Sequence, residues 1–366
     1  MSKMLQRLLP NQVVQSLPEL HHIVRPVETY VNCSSCRLMC NKGDAHQKWY
    51  FNDKTKCCTF YPKLHNWQLG RIFLSDSPRR HTLIREEMIR SNSYNALGLH
   101  PPEDYLQKQV QSGYPESFGK AAELLCPFYE KEMRGCSIWE YQNTVCRSWF
   151  CKHEEGSRGL GFWNSITMLG SYYEKIIAIW CIEQYDIPCQ SPMDIHDHID
   201  WYKRCAQYVE TIPESAIQEM RSDFVEDAIQ HICKYYDDFD RPMPNILRSA
   251  VSKFEFRDEE VILMGYSEFA RIITPRSIFR FLSKLDGIRT WREALRESNQ
   301  EGANLSEELI VHMFKQDMLS PYHEEDFQVG MRISVQYDDD VLKMTAPIPD
   351  IEIYGVPKGA SLKSIT

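Results

Sequence analysis

Nine of the chain's thirteen cysteines lie in two groups within the first 151 residues. Spacings of two and three residues let a short loop bring several thiolates to one metal ion or cluster. The pattern therefore predicts metal ligands, and it indicates no catalytic residue. The first group is Cys33, Cys36, Cys40, Cys57 and Cys58, and the second is Cys126, Cys136, Cys146 and Cys151.

The ligand count leaves the number of centres open. A tetrahedral zinc site and a four-iron cluster each take about four ligands, so the second group is sufficient by itself. The first group has one thiol more than a single centre needs, and neighbours such as Cys57 and Cys58 seldom both bind one metal. We expect one or two [4Fe–4S] clusters, with both groups sharing a centre as one arrangement and zinc as the alternative.

The residues around the second group favour iron–sulfur over zinc. Its cysteines lack the paired C-x2-C spacing that most zinc ribbons use. An aromatic shell would keep water and oxygen from a cluster. Arg147, beside Cys146, is a candidate hydrogen-bond donor to the sulfurs. The aromatic residues are Phe128, Tyr129, Trp139, Tyr141, Trp149 and Phe150.

Other chemically suggestive residues fit ordinary structural roles better. Isolated cysteines on apolar helices are usually core residues, which is the prediction for Cys181, Cys189, Cys205 and Cys233. The run from Asp194 to Asp200 offers ligands for a divalent cation, but the start of a helix explains it as well and is preferred. His153 is expected to be a surface histidine rather than a fifth ligand or a proton donor.

Composition excludes several classes of protein. The 366 residues include 43% hydrophobic residues and carry a net charge of -9, so nucleic acid is not an expected partner. Residues 1–110 contain 15 Lys+Arg and 9 Asp+Glu, so the positive charge is concentrated there. No signal peptide or membrane span is apparent, and clustered cysteines without a disulfide pattern suit a reducing compartment. We expect a cytoplasmic protein without a membrane partner.

The predicted fold is mainly α, with irregular metal-bound loops and an α+β, winged-helix-like C-terminal domain. Residues 1–160 form a cysteine-cluster domain, and residues 161–250 form a helical domain that packs on it. Residues 251–325 form the winged-helix-like module, and residues 326–366 form an irregular strand and tail.

Local signals specify several elements. Apolar residues at three- and four-residue steps predict helices over 162–185 and 213–236. Two short strands flank a turn at 257–259. Thr274-Pro275 is expected to cap a helix that ends at Gly287. Thr290 with Glu293 forms a capping box, and Ser306 starts a third helix.

Residues 31–153 resemble the cysteine-cluster proteins described as zinc- or iron-chelating, which are related in pattern to flagellin lysine-N-methylase. The shared order is C-x2-C-x3-C, a cysteine pair, C-P-F, C-S-I-W-E-Y and V-C-R. The resemblance implies an iron–sulfur cluster. Sixteen residues separate Cys40 from Cys57, more than in the compact form of the family, which leaves open which cysteines of the first group are ligands.

The stretch FLSKLDGIRTWREAL resembles small winged-helix domains that bind precursor peptides in peptide-modification systems. Together the two resemblances imply an iron–sulfur protein that is an enzyme or redox component in peptide or protein modification, with a protein or peptide partner. The alternative is a zinc-stabilised, non-catalytic scaffold or regulator that binds a protein through the same module.

Overall fold

A computed structural model describes residues 3–24, 28, 51–185, 194–267 and 269–322, and the backbone of three strands between 334 and 354. The chain forms two compact units, the first comprising residues 1–150 and 161–236, the second residues 151–160 and 237–366. The described elements are mainly helical with small sheets, which confirms the coarse fold class.

The first unit contains most of the helices and three very short pairs of strands. Its strands pair as β1-β3-β2 and as the hairpin β4-β5. The helices are α1 Lys3–Leu8, α2 Asn11–Gln15, α3 Asn66–Phe73, α4 Pro78–Ser91, α5 Glu103–Gln111, α6 Thr144–Ser148, α7 Gly156–Tyr185, α8 Ile195–Val209, α9 Glu214–Glu219 and α10 Asp223–Asp237. The strands are β1 Leu64–His65, β2 Tyr94–Asn95, β3 Gly98–Leu99, β4 Tyr129–Glu130 and β5 Gly135–Cys136.

The core of the first unit is centred on the packing of α3 against α8. Trp67 and Trp201 are both buried. A Cβ at Gly70 would lie 1.8 Å from the carbonyl oxygen of Tyr202 and 2.8 Å from the Cβ of Ala206. The two backbones therefore approach so closely that only glycine fits at position 70.

Helix α7 begins six residues earlier than its apolar pattern predicts. Its first five residues, 156–160, belong to the second unit, and there the backbone N–H of Ser157 donates to an Asp317 carboxylate oxygen of the same unit at 2.5 Å. The unpaired N–H groups at a helix N-terminus need such an acceptor. Because this acceptor lies 160 residues away in sequence, the local pattern gives no indication of it.

The single helix predicted over 213–236 is wrong in its continuity, because α9 ends at Glu219 and α10 begins at Asp223. In the break, the Arg221 guanidinium donates to Glu226 at 2.7 Å and to Glu19 at 2.9 Å. The interruption lets this side chain join α10 to the N-terminal segment.

The second unit is an α+β module followed by further strands. Its main sheet has the order β13-β7-β8-β9, where β13 is parallel to β7 and the other pairs are antiparallel. A second sheet pairs β10 with β6. The elements are β6 Leu247–Ser249, β7 Lys253–Arg257, β8 Glu260–Met264, β9 Arg271–Pro275, α11 Ile278–Leu282, α12 Trp291–Gln300, α13 Glu307–Lys315, β10 Leu319–Pro321, β11 Ser334–Asp338, β12 Val341–Thr345 and β13 Glu352–Tyr354.

Local signals in this unit were informative with one exception. The strand pair around 257–259, the Thr290–Glu293 capping box and the Ser306 N-cap are all confirmed. The cap at Thr274-Pro275 is wrong, because both residues lie in β9 and the following helix begins at Ile278. Thr274 lies opposite Val261 and Pro275 opposite Glu260, so pairing with β8 decides the structure here.

Candidate metal centre

The structure describes six of the nine predicted ligands. Cys33, Cys36 and Cys40 lie outside the described residues. Cys151 belongs to the second unit. The remaining five lie in the first unit and are called here the thiol group: Cys57, Cys58, Cys126, Cys136 and Cys146.

Cys57 and Cys58 lie in a tight turn. The N–H of Lys56 donates to the Asn52 carbonyl at 2.8 Å, and the N–H of Cys58 donates to the Thr55 carbonyl at 3.0 Å. Lys56 has a left-handed φ of 51°. The two consecutive cysteines therefore lie at the end of a turn rather than in a strand or a helix.

Cys126 is joined directly to this turn. Its backbone N–H donates to the carbonyl of Cys58 at 2.9 Å. The Cys126 side chain is buried. This hydrogen bond connects two segments of the thiol group that are 68 residues apart in sequence.

Cys136 is the last residue of the β4-β5 hairpin, where it lies opposite Tyr129. Immediately after it, the N–H and the hydroxyl of Ser137 both donate to the Phe128 carbonyl at 2.9 Å. The hairpin therefore returns the chain to the residues that follow Cys126, so the second and third segments of the thiol group meet.

Cys146 lies in the short helix α6, which is held at its start by two buried side chains. Asn143 is the N-cap, and its side-chain oxygen accepts the N–H of Cys146 at 3.1 Å. The Glu174 carboxylate of α7 accepts the N–H of Thr144 at 2.7 Å and its hydroxyl at 2.8 Å. Gln68 donates to the same oxygen at 2.8 Å. This network fixes the helix that carries the cysteine.

The pKa shifts show that the thiols lie close to one another. Burial raises the pKa of Cys126 and of Cys146, because a thiolate loses the stabilisation of water. Cys146 and Cys136 raise the pKa of Cys126 further, while Cys136 and Cys57 do so for Cys146. Electrostatic effects weaken with distance, so these four thiols form one neighbourhood.

The neighbouring thiols of Cys57 and Cys58 interact with each other. A hydrogen bond that the Cys57 thiol donates to the Cys58 sulfur, followed by burial, raises the pKa of Cys57. Cys57 also contributes to raising the pKa of Cys146, and both Cys58 and Cys57 contribute, after burial, to raising the pKa of Tyr129. Of the pair, Cys57 is thus the one that acts on another thiol of the group.

Several donors favour the thiolate forms against burial. The N–H of Phe128 donates to the Cys126 sulfur and lowers its pKa. The N–H of Ile138 and the Gln142 side chain have the same effect on the pKa of Cys136, as do the charges of Arg147 and Arg80. Hydrogen bonds to thiolate sulfur and nearby positive charge stabilise ligated sulfur and tune iron–sulfur potentials.

The aromatic environment differs in part from the prediction. Phe128 is buried, but Trp139 is 59% exposed and Trp149 is 42% exposed. Two buried tyrosines that the sequence pattern did not single out take their place, Tyr61 and Tyr105, with ring centroids 5.3 Å apart. Cys126 and Cys146 contribute, after burial, to raising the pKa of Tyr105, so its ring lies beside the thiols.

A cavity of about 490 Å³ adjoins the thiol group on the side of Cys126. Tyr61 and Tyr105 line it, and so does Pro127. Three of its polar side chains are bonded to one another: the Tyr61 hydroxyl donates to Glu87 at 2.6 Å, and Arg90 also donates to Glu87.

The described residues contain no ready-made site for a single metal ion. In the parts of the chain that the structure describes, no three side chains of His, Cys, Asp or Glu are placed to hold one metal ion. Zinc bonds sulfur at about 2.3 Å, so its ligand sulfurs lie only about 4 Å apart. A four-iron cluster is several atoms wide and takes thiolates from a wider circle.

Cys151 is followed by a histidine with a structural role in the second unit. The N–H of His153 donates to the Tyr266 hydroxyl at 2.9 Å, and its Nδ1 lies 3.0 Å from the same oxygen. Burial lowers the pKa of His153 to about 4. The expectation of a surface histidine is wrong, because this side chain is only 4% exposed.

Three of the remaining candidate residues, Asp194, Cys181 and Cys205, take the structural roles that were preferred for them. Asp194 is the N-cap of α8, and it forms a capping box with Asp197. Cys181 and Cys205 are fully buried core residues. Cys233 is partly buried, and Cys189 lies outside the described residues.

Comparison with known proteins places the chain in no group, since no family model, curated protein or solved structure matches it. Within the described ranges, the helices are all too short or too polar to cross a membrane.

Proposed function

We propose that this chain is an iron–sulfur protein that serves as an enzyme or redox component in the modification of a peptide or protein. The observation that carries the proposal is the convergence of Cys57, Cys126, Cys136 and Cys146 from four separate segments of the first unit. Four cysteines are the usual ligand set of a [4Fe–4S] cluster.

The donors around the sulfurs support a centre rather than a chance group of core cysteines. A buried cysteine that serves only for packing needs no hydrogen bond to its sulfur. Here Cys126 and Cys136 each accept a backbone N–H from two residues further along the chain. These donors would stabilise thiolates held on a cluster, which supplies one-electron chemistry when bound.

The peptide part of the proposal concerns the second unit. In its described sheet, β9 is an edge strand. The N–H of Gly265 donates to the Ala270 carbonyl, and the N–H of Arg276 donates to the Glu259 carbonyl. Hydrogen-bonded and non-bonded pairs alternate along an antiparallel ladder. The backbone N–H and C=O of Ile273, which lies opposite Ile262, therefore point away from β8. The Ile273 side chain is 54% exposed. An open edge with an exposed apolar side chain suits the addition of an extended peptide.

The test of the metal is direct. The protein is purified without oxygen, its visible spectrum is recorded, and iron, sulfide and zinc are assayed. We expect broad visible absorption that bleaches on reduction, with iron and acid-labile sulfide in equal amounts. A colourless protein with stoichiometric zinc would refute the iron–sulfur proposal and favour the zinc-stabilised scaffold that binds a protein partner.

Serine variants test which thiols are ligands. Cys126→Ser and Cys146→Ser are expected to lower the iron content strongly, because each removes one of the four converging sulfurs. Cys205→Ser is the matched control, since it changes a fully buried cysteine outside the thiol group. Equal iron content in all three variants would contradict the assignment.

A further inference from the structure

The outer side of the β4-β5 hairpin forms a continuous surface, called here the hairpin surface. It joins the start of α4, the hairpin itself and the turn that follows Ile138. Its members are Arg79, Arg80, Glu130, Lys131, Glu132, Met133, Arg134, Trp139 and Glu140.

Ion pairs hold these three pieces together. Arg79 pairs with Glu130, which joins α4 to the hairpin. Arg80 pairs with Glu140 at 2.8 Å, and its guanidinium lies 5.2 Å from the centre of the Tyr141 ring. The surface is therefore built from fixed elements rather than from separate loops.

Two large apolar side chains project from this surface. Met133 is 57% exposed and Trp139 is 59% exposed, although the neighbouring Ile138 is buried. Burying a tryptophan side chain is strongly favourable, so an exposed one gains free energy when a partner covers it. Tryptophan is accordingly enriched at the centres of protein interfaces. The surface thus has an apolar anchor within a charged surround.

The charges on and directly beneath the surface are mainly positive. Among the members of the surface, four basic side chains meet three carboxylates, in a chain whose net charge is -9. Two more basic side chains lie beneath it, since Lys56 donates to the Arg134 carbonyl and Arg147 donates to the Glu140 carbonyl. A complementary partner is acidic. The basic residues are Lys56, Arg79, Arg80, Lys131, Arg134 and Arg147.

The surface is also continuous with the thiol group. Cys136 ends the hairpin, and the charges of Arg147 and Arg80 both act on its sulfur. Cys136 is only partly buried. Cys136 is therefore the member of the thiol group that lies in the hairpin itself.

We propose that the hairpin surface is the docking site of an acidic one-electron carrier protein, which exchanges an electron with the centre by way of Cys136. This inference rests on the proposed iron–sulfur centre. One electron passes between the carrier and the cluster, and no bond is made or broken.

The experiment uses the purified, iron-loaded full chain and an acidic plant-type ferredoxin as the probe. Electron exchange is followed by visible absorption as ionic strength rises from about 0.01 M to about 1 M, over which the Debye length falls from about 30 Å to about 3 Å. We expect the wild-type rate to fall steeply with salt. Lys131→Glu with Arg134→Glu is expected to lower the low-salt rate about tenfold or more, and Trp139→Ala to lower it at every salt concentration.

Matched controls separate docking from changes in the centre. Lys175→Glu with Lys234→Glu reverses two exposed charges on α7 and α10, outside the hairpin surface, and should leave the rate unchanged. Basic cytochrome c, in place of ferredoxin, should react faster with the hairpin variant than with wild type. Dithionite should reduce wild type and all variants equally.

Three results would overturn the docking proposal. These are unchanged ferredoxin rates in the hairpin variant, an equal loss of rate with dithionite, and sedimentation showing that the hairpin surface holds a second copy of the chain. A wild-type protein that contains no iron would instead refute the proposed function.

Discussion

The thiol group and the second unit hold their residues in place by different means. In the second unit, apolar side chains from strands and helices pack around Trp291 and Phe281. In the thiol group, the cysteines come from a turn, a hairpin and a five-residue helix, and contacts such as Cys126 to Cys58 join distant segments. Stability in the second unit should come from apolar burial, whereas order around the thiols should depend on hydrogen bonds and on what the thiols bind.

Removal of the metal should affect the two regions differently. We expect removal by a chelator under reducing conditions to loosen residues 57–59 and 126–148 and to leave residues 253–315 folded. Structural zinc contributes on the order of 10 kcal/mol to the folding of zinc-finger peptides, and we expect a cysteine-bound cluster to stabilise the thiol group in the same direction, whereas an apolar core needs no such contribution. Hydrogen exchange followed by mass spectrometry measures both regions in one sample.

The expected pattern is faster exchange in the first two ranges only. Equal protection with and without metal would show that the hydrogen bonds around the thiols are sufficient. Loss of protection throughout the chain would show that the two regions do not differ in the way proposed.

The reciprocal change is made in the second unit. Trp291 is 2% exposed and lies in its apolar core. Trp291→Ala is expected to lower the free energy of unfolding of this unit by about 3–5 kcal/mol, without changing iron content. Trp291→Phe keeps most of the buried volume and should cost less. A fall in iron content with either variant would contradict the separation of the two regions.

The two regions also differ in how much the sequence predicts. The Thr290–Glu293 capping box and the β7-β8 hairpin depend on residues close together in the chain, and both were predicted correctly. Thr274-Pro275 was misread because its structure depends on pairing with β8, a contact that a local cap signal does not contain.

For the candidate centre, the sequence identified the cysteines but not what surrounds them. Glu174 lies 28 residues after Cys146 and acts through Thr144, and Tyr105 reaches the thiols by tertiary packing alone. The motif N-T-V-C is an N-cap signal that would have placed Cys146 in the first turn of a helix. Long-range contacts of this kind have no signature in spacing, so the second layer of the site could not be predicted.

A buried carboxylate gives the first unit a distinctive pH dependence. Burial raises the pKa of Glu174 to about 7, from a usual value of 4.5. Between about pH 4.5 and pH 7, Glu174 is therefore protonated in the folded chain and ionised in the unfolded chain. Stability of this unit should be greatest below about pH 4.5 as far as Glu174 is concerned, and should fall by roughly 3 kcal/mol as pH rises to about 7.

Glu174→Gln tests this dependence. The amide is neutral, and its oxygen can still accept the hydrogen bonds from Thr144 and Gln68. Urea unfolding between pH 4.5 and 8 should show a flatter profile for the variant and greater stability than wild type at pH 8. Glu86→Gln, an exposed change on α4, should retain the wild-type profile. A variant that parallels wild type across the range would show that Glu174 is not the titrating group.

The smallest expected effects come from the same cap chemistry in the two regions. Thr290 caps α12 at a partly exposed position, and Thr290→Ala should lower the free energy of unfolding by about 1 kcal/mol, with Thr290→Ser close to wild type.

Asn143 is 2% exposed and also donates to the Lys63 carbonyl at 3.2 Å. Asn143→Ala should cost about 2 kcal/mol, at the upper end of cap effects, and should also lower iron content, because the cap bonds the N–H of Cys146. Calorimetry with iron analysis distinguishes the two. If both alanine variants lose stability equally and keep their iron, α6 is an ordinary helix and the position of Cys146 does not depend on its cap.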